Sequence, residues 1–273
     1  MMNNIGRRMN GLSVHFYTVY KWEAKGSATR FTAEDYYRTL GKCLDIDKVI
    51  QSHRTIMDRT DPDQRISIMV DEWGAWWDEE PGTVRGHLYQ QNTMRDAFVA
   101  ALSLMVFHKH GERVKMANIA QLANVLQAMV LTKDDKMVLT PTYHVFEMFK
   151  VHQDADFMPL EVNSSDLVTP DKKVIQSVYA TASVNQKGTM HISLANVSLD
   201  RSCEVTVNLN GVKYKESSGR ILTSGEISDH NDFDHPHTVK PEPYTGMKSG
   251  KDFLTLTMPA KSIVTVELVP AGK

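Results

Sequence analysis

The sequence predicts a parallel α/β unit followed by an antiparallel β-sandwich. Residues 1–153 alternate short β-rich runs with helix patterns, which is typical of βα units on a parallel sheet. Residues 154–273 contain short β-rich runs separated by Gly, Asn, Asp and Pro turns, which is typical of antiparallel sheets. The change of pattern therefore predicts two domains, residues 1–153 and residues 154–273.

Three βα units are predicted in the first domain. Thr32 is the expected N-cap of the first helix, with Asp35 as its capping-box carboxylate, and Gly111 is expected to stop the second helix. A closed parallel barrel needs eight strands and about 250 residues. Three units therefore form either a small open sheet or the last part of a barrel. The predicted strands are Leu12–Tyr17, Ile66–Glu72 and Val114–Gln121, and the predicted helices are Ala33–Met57, Val84–Lys109 and Thr142–Val151.

The second domain is predicted from short β-rich runs with no helix pattern between them. Two hairpin-like turn signals, Gln186–Gly188 and Asn210–Gly211, lie between neighbouring runs. The β-rich runs are Val174–Val184, Thr189–Asn196, Cys203–Leu209, Arg220–Leu222, Phe253–Met258 and Ser262–Val269.

Composition excludes several classes of protein. The 273 residues carry 31 basic and 33 acidic side chains, for a net charge of −2, and form no basic stripe that would indicate nucleic-acid binding. The longest apolar run, around Phe98–Phe107, is too short to cross a bilayer, and the N-terminus lacks the apolar core of a signal peptide. Cys43 and Cys203 lie far apart, which favours a reducing compartment. We therefore expect a cytoplasmic protein with no membrane or nucleic-acid partner.

Two neighbouring carboxylates, Asp71 and Glu72, end the second predicted strand. Ligand sites of α/β sheets lie at the carboxyl ends of strands. Since adjacent strand residues face opposite sides, we expect only one of the two carboxylates to point into a site. Trp73, Trp76 and Trp77 follow at once and offer flat apolar faces for stacking on a sugar ring. The alternative is that both carboxylates are solvated turn residues before a helix.

Polar residues also follow the other two predicted strands. His15 and Tyr17 have the period-2 spacing that places both on one face of the first strand. The same spacing is equally compatible with a His and a Tyr that lie in a hydrophobic core and have hydrogen-bond partners there. Asn118 and Gln121 near the end of the third strand can hydrogen-bond hydroxyl groups, although that pattern by itself says little.

The histidines outside these strand ends suggest structural roles. The segment Asp229–His237 is dense in His and Asp, but its spacing matches no EF-hand loop and its Asx and Pro residues are those of a surface turn. His108 and His110 lie in the last turn of a predicted helix, where they are expected to complement its dipole. We therefore expect neither a metal nor a cofactor, and a metal-dependent hydrolase using the His/Asp loop is the last-ranked hypothesis.

Several of these segments resemble glycoside hydrolase family 51, the α-L-arabinofuranosidases, in the same order along the chain. The resemblance implies that the three strands are strands six, seven and eight of a (β/α)₈ barrel, followed by a jelly-roll-like β-sandwich. It implies hydrolysis, with retention of configuration, of terminal α-L-arabinofuranosyl groups of arabinan, arabinoxylan and their oligosaccharides. The segments are Asn10–Thr18, Val70–Gly74, Arg113–Leu122 and Leu139–Phe146.

The resemblance also implies roles for five residues. Glu72 corresponds to the nucleophile, and Tyr17 is placed to hydrogen-bond and orient it. His15, Trp76 and Gln121 correspond to residues that line the arabinose pocket. The acid/base glutamate of the family follows an Asn in an Asn-Glu pair, and no such pair occurs in this sequence.

The missing pair leads us to expect a partner. The sequence leaves no room for strands one to five before Leu12, so we expect an N-terminal barrel fragment to complete the site. Homo-oligomer partners are also expected, because an incomplete barrel leaves a strand edge exposed. On its own the chain is expected to turn over ordinary glycosides little or not at all. The competing hypothesis is a non-catalytic module that binds carbohydrate or mediates assembly.

Overall fold

A computed structural model describes residues 2–211, 213–250 and 252–271. Its first part holds five helices and a three-stranded parallel sheet, followed by a two-stranded hairpin that the sequence analysis missed. In chain order the elements are α1 (Met2–Ile5), β1 (Gly11–Thr18), α2 (Ala33–Cys43), α3 (Asp45–Asp58), β2 (Ser67–Ala75), α4 (Met94–Lys109), β3 (Val114–Ile119), β4 (Val130–Lys133), β5 (Lys136–Leu139) and α5 (Pro141–Phe149). Short 3₁₀ turns, Gly6–Arg8 and Lys150–His152, follow α1 and α5.

The parallel sheet has the order β1-β2-β3, and its side chains alternate between two faces. Val14 on β1 and Ile68 and Val70 on β2 are buried against the helices. Ser13, His15 and Tyr17 alternate with Val14 and therefore point to the opposite face. Since all three strands run in one direction, their carboxyl ends meet at one edge of the sheet.

Two helix predictions were wrong in extent. The predicted helix Ala33–Met57 is two helices, α2 and α3, which meet at Leu44. The predicted helix Val84–Lys109 begins only at Met94, where Thr93 and Asp96 form a capping box. The preceding segment adopts positive φ at Gly82, Gly86 and Leu88, which is incompatible with a right-handed helix.

The predicted capping of α2 is confirmed. The Thr32 side chain accepts from the Asp35 amide at 3.2 Å, and an Asp35 carboxylate oxygen accepts from the Thr32 amide at 3.1 Å. The helix then buries Tyr36, Leu40 and Cys43. Among the residues that the structure describes, no helix has the length and apolarity needed to cross a membrane.

The second part of the chain is built of antiparallel sheets, and the predicted α/β plus all-β class is correct. The strands are β6 (Asp156–Met158), β7 (Asp166–Val168), β8 (Val174–Gln176), β9 (Val178–Val184), β10 (Met190–Asn196), β11 (Cys203–Asn208), β12 (Tyr214–Thr223), β13 (Glu242–Pro243), β14 (Met247–Ser249), β15 (Phe253–Met258) and β16 (Ser262–Pro270). A six-stranded sheet has the order β13-β12-β16-β10-β9-β6, and a three-stranded sheet has the order β11-β15-β14.

One apolar core joins those two sheets. Leu194 and Val264 of the larger sheet pack in the same cluster as Leu254 and Leu256 of the smaller one. The predicted run Val174–Val184 is interrupted at Ser177, and the predicted run Arg220–Leu222 is the end of the longer strand β12.

The β-rich part packs closely on the helices of the first part. Helix α4 is buried on nearly every side because it lies between β2 and β3 on one side and β9 and β10 on the other. The Tyr36 hydroxyl donates to the Val197 carbonyl at 3.0 Å, and the Asn231 amide donates to the Leu139 carbonyl at 2.8 Å. These contacts hold the helices between the β-rich part and one face of the parallel sheet. The polar residues of β1 and β2 lie on the opposite face of that sheet.

Candidate active site at the carboxyl edge of the parallel sheet

Two side chains of β1 converge on Glu72 of β2. The Tyr17 hydroxyl donates to Glu72 Oε2 at 2.9 Å, and His15 Nδ1 lies 3.5 Å from the same oxygen. Glu72 remains about half exposed, with 46 % of its side chain accessible. The structure therefore brings together three residues that were predicted on two strands, and it leaves the carboxylate open to a ligand.

Asp71 also faces this site, so the expectation that only one of the two carboxylates would do so was wrong. His15 Nε2 lies 3.3 Å from Asp71 Oδ1, and His15 therefore contacts both carboxylates. The cause is a β-bulge: Ser13 pairs with Met69 but His15 pairs with Glu72, so β2 carries one residue more than β1 between these pairs. A bulge places two consecutive side chains on one face and breaks the alternation.

Asp71 is held in its ionised form. The Ser13 hydroxyl donates to Asp71 Oδ1 at 2.7 Å, and this bond, with the nearby His15, lowers the pKa of the Asp71 carboxyl. A general acid needs the opposite shift, because it must keep its proton near neutral pH. Asp71 is therefore unsuited to protonate a leaving group, although it lies beside Glu72.

Tyr17 is held in its protonated form. Partial burial raises the pKa of its phenol, and the hydrogen bond to Glu72 raises it further. Tyr17 therefore acts as a stable donor to the carboxylate. A hydrogen bond to the charged form of a carboxyl group favours ionisation and fixes the direction of its free oxygen.

Only one of the three neighbouring tryptophans belongs to this site, contrary to the expectation for the whole cluster. Trp73 is buried against Phe107 and Phe146, and Trp77 is buried with its indole N–H donating to Asp96 at 2.8 Å. Trp76 is half-buried and meets the Tyr17 ring edge-on, with ring centroids 5.1 Å apart. Trp76 is therefore the ring that can stack on a ligand at Glu72.

Buried amide groups hold the end of β2. Gln127 Oε1 accepts from the Ala75 amide at 2.6 Å, and Gln90 Oε1 accepts from the Trp77 amide at 2.8 Å. Gly74 has a φ of +140° and lies close against Gln127, where a Cβ would come within 3.2 Å of its Oε1. These contacts extend the strand beyond its predicted end and set the position of Trp76. Gln90 and Gln127 carry no recognisable signal in the sequence, because each acts across a long loop.

Gln121 lies two residues beyond β3, at the same edge of the sheet as Glu72. Its backbone is fixed by bonds with Val125 and Met129, and its side chain is exposed. Among the hydrogen bonds of the described residues, its side chain makes none with Glu72. Asn118, on β3 itself, is exposed as well.

The His/Asp loop uses its polar groups to fix its own backbone. Asp232 Oδ1 accepts from the amides of Asp234 and His235, and the buried Asn231 side chain bonds to Val239 and Leu139. These are the contacts of a surface turn that is anchored to the end of β5 through Leu139.

His108 does not complement the α4 dipole as a cation. Burial lowers the pKa of His108 to about 4, so it is neutral at pH 7. Its ring packs against Phe149 and His152, and its Nδ1 lies 3.3 Å from Thr181 Oγ1. The dipole prediction for His108 was therefore wrong, because the β-rich part covers this end of the helix.

The segment after β1, residues 19–31, is here called the site loop, and sequence reasoning missed its role. It carries Trp22, whose ring meets the Trp76 ring edge-on at 5.6 Å between centroids. The buried Arg95 donates to the Ser27 and Ala28 carbonyls of the loop at 3.2 and 2.9 Å. A lone tryptophan in a polar segment directly after a strand end was the available signal.

Comparisons with known proteins give a consistent result. A family model described as the α-L-arabinofuranosidase C-terminal domain matches residues 71–262. A protein of Bacteroides ovatus named intracellular exo-α-L-arabinofuranosidase is 55% identical over 269 residues, covering 98% of this chain and 52% of the relative.

Solved structures agree with these matches. The crystal structure of the GH51 arabinofuranosidase from Xanthomonas axonopodis pv. citri superposes with a TM-score of 0.95 at 40% identity, covering 98% of this chain and 54% of that one. The α-L-arabinofuranosidase of Thermotoga maritima, solved as an arabinose complex, has a TM-score of 0.79 at 20% identity, covers 98% of this chain and 54% of that one, and supports the fold alone. The chain spans about half the length of the relatives it matches.

Proposed function

This chain belongs to the α-L-arabinofuranosidases of glycoside hydrolase family 51, as a C-terminal portion, and from that premise we propose that it supplies the nucleophile of a retaining arabinofuranosidase. The observation that carries the proposal is the contact of Tyr17 and His15 with one oxygen of Glu72 at the carboxyl edge of the sheet. An exposed carboxylate that is oriented by a neutral donor has the properties of a glycosidase nucleophile.

In the proposed reaction, Glu72 attacks the anomeric carbon of a terminal α-L-arabinofuranosyl group. The bond between that carbon and the leaving oxygen breaks as the bond to Glu72 forms, which gives a covalent glycosyl–enzyme ester. Tyr17 keeps Glu72 ionised and aims it, and His15 lies against the same oxygen. Trp76 packs against the sugar ring, and Gln121 at the end of β3 donates to its hydroxyl groups.

The second carboxyl group is proposed to come from polypeptide beyond these 273 residues. Retaining enzymes place a general acid about 5–5.5 Å from the nucleophile. The sequence holds no Asn-Glu pair, and the adjacent Asp71 has a lowered pKa that disqualifies it as an acid. That polypeptide is either joined to this chain or associates with it. Further copies of the chain carry the same sequence, so they are proposed as oligomer partners and not as the source of the acid.

The finer architecture follows the same proposal. We take β1, β2 and β3 as strands six, seven and eight of a (β/α)₈ barrel, with a domain boundary near Asp154. We take the two antiparallel sheets that share a core as a jelly-roll-like sandwich. Among the described residues no strand pairs with the outer side of β1 or of β3, which supports this assignment, since barrel closure covers such edges.

The proposed substrates are arabinan, arabinoxylan and their oligosaccharides, cut at terminal non-reducing α-L-arabinofuranosyl residues. The name of the Bacteroides relative, an intracellular exo-acting enzyme, supports action on chain ends in the cytoplasm. The alternative of a non-catalytic carbohydrate-binding module is less well supported, because it gives no reason for a carboxylate held by Tyr17 and His15.

The proposal is tested by comparing two substrates on the chain. An aryl α-L-arabinofuranoside with a very acidic leaving group needs no protonation, so the wild-type chain should release the phenolate slowly. Ordinary arabino-oligosaccharides should remain almost uncut until the acid-bearing polypeptide is added. Glu72→Gln should abolish phenolate release, and Glu23→Gln, an exposed carboxylate on the site loop, is the matched control that should retain it.

Hydrolysis of arabino-oligosaccharides by the chain alone, at a rate that Glu72→Gln leaves unchanged, would contradict the proposed role of Glu72.

A further inference from the structure

We propose that Asp71 is a positioning residue of the active site, which holds the His15 ring in the direction from which that ring contacts Glu72. The inference rests on the proposed function, because it takes Glu72 as the nucleophile. It goes beyond that function by assigning a role to the second carboxylate on this face of the sheet, which neither attacks the sugar nor protonates the leaving group.

The His15 ring bridges the two carboxylates. Its Nε2 lies 3.3 Å from Asp71 Oδ1, and its Nδ1 lies 3.5 Å from Glu72 Oε2. Because the imidazole ring is rigid and planar, a partner that holds one ring nitrogen also fixes the direction of the other. Asp71 therefore determines the direction in which Nδ1 of His15 faces the nucleophile.

Ser13 completes the contacts around His15 Nε2. The Ser13 hydroxyl donates its proton to Asp71 Oδ1 at 2.7 Å, and its oxygen lies 3.3 Å from Nε2. With that proton committed to Asp71, the Ser13 oxygen can only accept from Nε2, as the Asp71 carboxylate does. Two acceptors around one ring nitrogen assign a hydrogen to Nε2 in both the neutral and the charged ring.

The contact of His15 with Glu72 then depends on a hydrogen at Nδ1. A ring with hydrogens on both nitrogens donates to both carboxylates, and the negative charge of Asp71 on its far side stabilises that form. Tyr17 donates to the same oxygen of Glu72, Oε2, at 2.9 Å. With Oε2 held from two directions, Glu72 Oε1 is the oxygen that is left to attack the anomeric carbon.

The backbone of β2 brings both carboxylates to this face through the β-bulge. Val70 before the two carboxylates and Trp73 after them are both buried in the core on the helix side of the sheet. Two successive residues, Asp71 and Glu72, therefore face the site. Bulges are frequent next to active sites, where they re-aim a side chain. A regular strand would carry only one of these carboxylates to His15.

Asp71 has the charge and the anchoring that this role needs. The hydrogen bond from Ser13, with the nearby His15, lowers the pKa of the Asp71 carboxyl. The Asp71 side chain is 34 % exposed, whereas His15 is 51 % exposed and could turn freely without a partner. A group that is already held in its productive direction loses less conformational entropy when the substrate binds.

The test measures how fast an activated aryl α-L-arabinofuranoside attaches arabinose to Glu72, by intact mass, over a range of reagent concentrations. Asp71→Asn keeps the shape of the side chain and removes its charge, so it should lower the maximum labelling rate about tenfold. The half-saturating concentration should change less than about twofold, because the contacts of Asp71 are with Ser13 and His15. Asp135→Asn, at the exposed turn between β4 and β5, is the matched control and should be labelled as fast as the wild type.

A double-mutant cycle separates action through His15 from a general effect on the fold. His15→Gln should itself slow the labelling, and in that background Asp71→Asn should cause no further loss beyond about twofold. Ser13→Ala removes the donor to Asp71 and should slow the labelling about threefold, an effect that should also vanish in His15→Gln. Urea unfolding of each variant checks that the fold is retained.

The outcomes distinguish a failure of this inference from a failure of the proposed function. If Asp71→Asn is labelled at the wild-type rate, or is slowed equally with and without His15, Asp71 does not act through His15, and the assignment of Glu72 still stands. If the wild-type chain takes up no arabinose on Glu72, the proposed function fails and the inference fails with it.

Discussion

Three histidines lie close together where the helices meet the β-rich part of the chain, and two of them, His108 and His152, make stability sensitive to mild acid. His152 Nδ1 and Nε2 lie 2.7 and 2.8 Å from the hydroxyls of Ser183 and Ser193. The ring centroid of His152 is 5.0 Å from that of His108 and 6.4 Å from that of His191. A positive charge on the His152 ring would be buried and would lie close to the other two imidazole rings.

The magnitude follows from the pKa values. Burial lowers the pKa of His152 to about 3, helped by the neighbouring imidazoles, and burial lowers that of His108 to about 4. The ordinary pKa of a histidine is 6.5, so at a pH between the folded and the unfolded pKa the unfolded state binds more protons than the folded state. Stability is therefore complete above pH 6.5 and falls as the pH drops below it.

Between pH 7 and pH 5 the loss is about 2 kcal/mol for His152, which is only 6 % exposed. His108 is more accessible to solvent than His152, so its contribution to the loss of unfolding free energy is smaller, about 1 kcal/mol. His108 and His152 together therefore account for a loss of about 3 kcal/mol of unfolding free energy. The Asp carboxyls with lowered pKa values stay ionised at pH 5, so they do not add to this loss.

Urea unfolding at the two pH values measures this loss. In His152→Gln, whose amide can still bond both serines, the difference in unfolding free energy between pH 7 and pH 5 should shrink by about 2 kcal/mol. His87→Gln, at an exposed histidine, should leave the difference as in the wild type. An unchanged pH dependence in His152→Gln would refute the reasoning.

Three further predictions concern the supports of the site. Tyr17→Phe removes the donor to Glu72, so labelling of Glu72 by an activated arabinofuranoside should slow about tenfold, as followed by intact mass. Arg95→Met should lower the unfolding free energy by about 3 kcal/mol and should make the site loop more susceptible to trypsin, because two carbonyls lose their donor. Gln127→Leu leaves the Ala75 amide unpaired in a buried position and should cost about 3 kcal/mol, as measured by urea unfolding with unchanged far-UV circular dichroism.

Local patterns predicted much of the fold. Apolar runs and turn signals located the three parallel strands and the change to antiparallel sheets, and the capping pair of Thr32 and Asp35 is formed as expected. These features depend on residues that are close in sequence. The start of α4 was misplaced because Val84 and Leu88 continue an apolar spacing through a segment that is not helical.

The candidate site was predicted in part. Period-2 spacing correctly placed His15 and Tyr17 on one face, where both meet Glu72. The presence of Asp71 on that face depends on a bulge, which is set by the pairing of two strands more than fifty residues apart and leaves no local mark.

The different positions of the three neighbouring tryptophans also depend on contacts between residues that are distant in sequence. Trp77 is drawn inward by its bond to Asp96 on α4, whereas Trp76 stays at the surface beside Tyr17. Trp73, Trp76 and Trp77 differ in their long-range partners, and the sequence around them does not separate core from site.

The most direct test of the account is to identify the residue that carries the sugar. Intact mass spectrometry and peptide mapping should follow incubation of the chain with an activated aryl α-L-arabinofuranoside. We predict one arabinosyl group, on the peptide that contains Glu72, present in Glu23→Gln and absent in Glu72→Gln. An arabinosyl group on another carboxylate, or one that persists in Glu72→Gln, would contradict the assignment of Glu72 as the nucleophile.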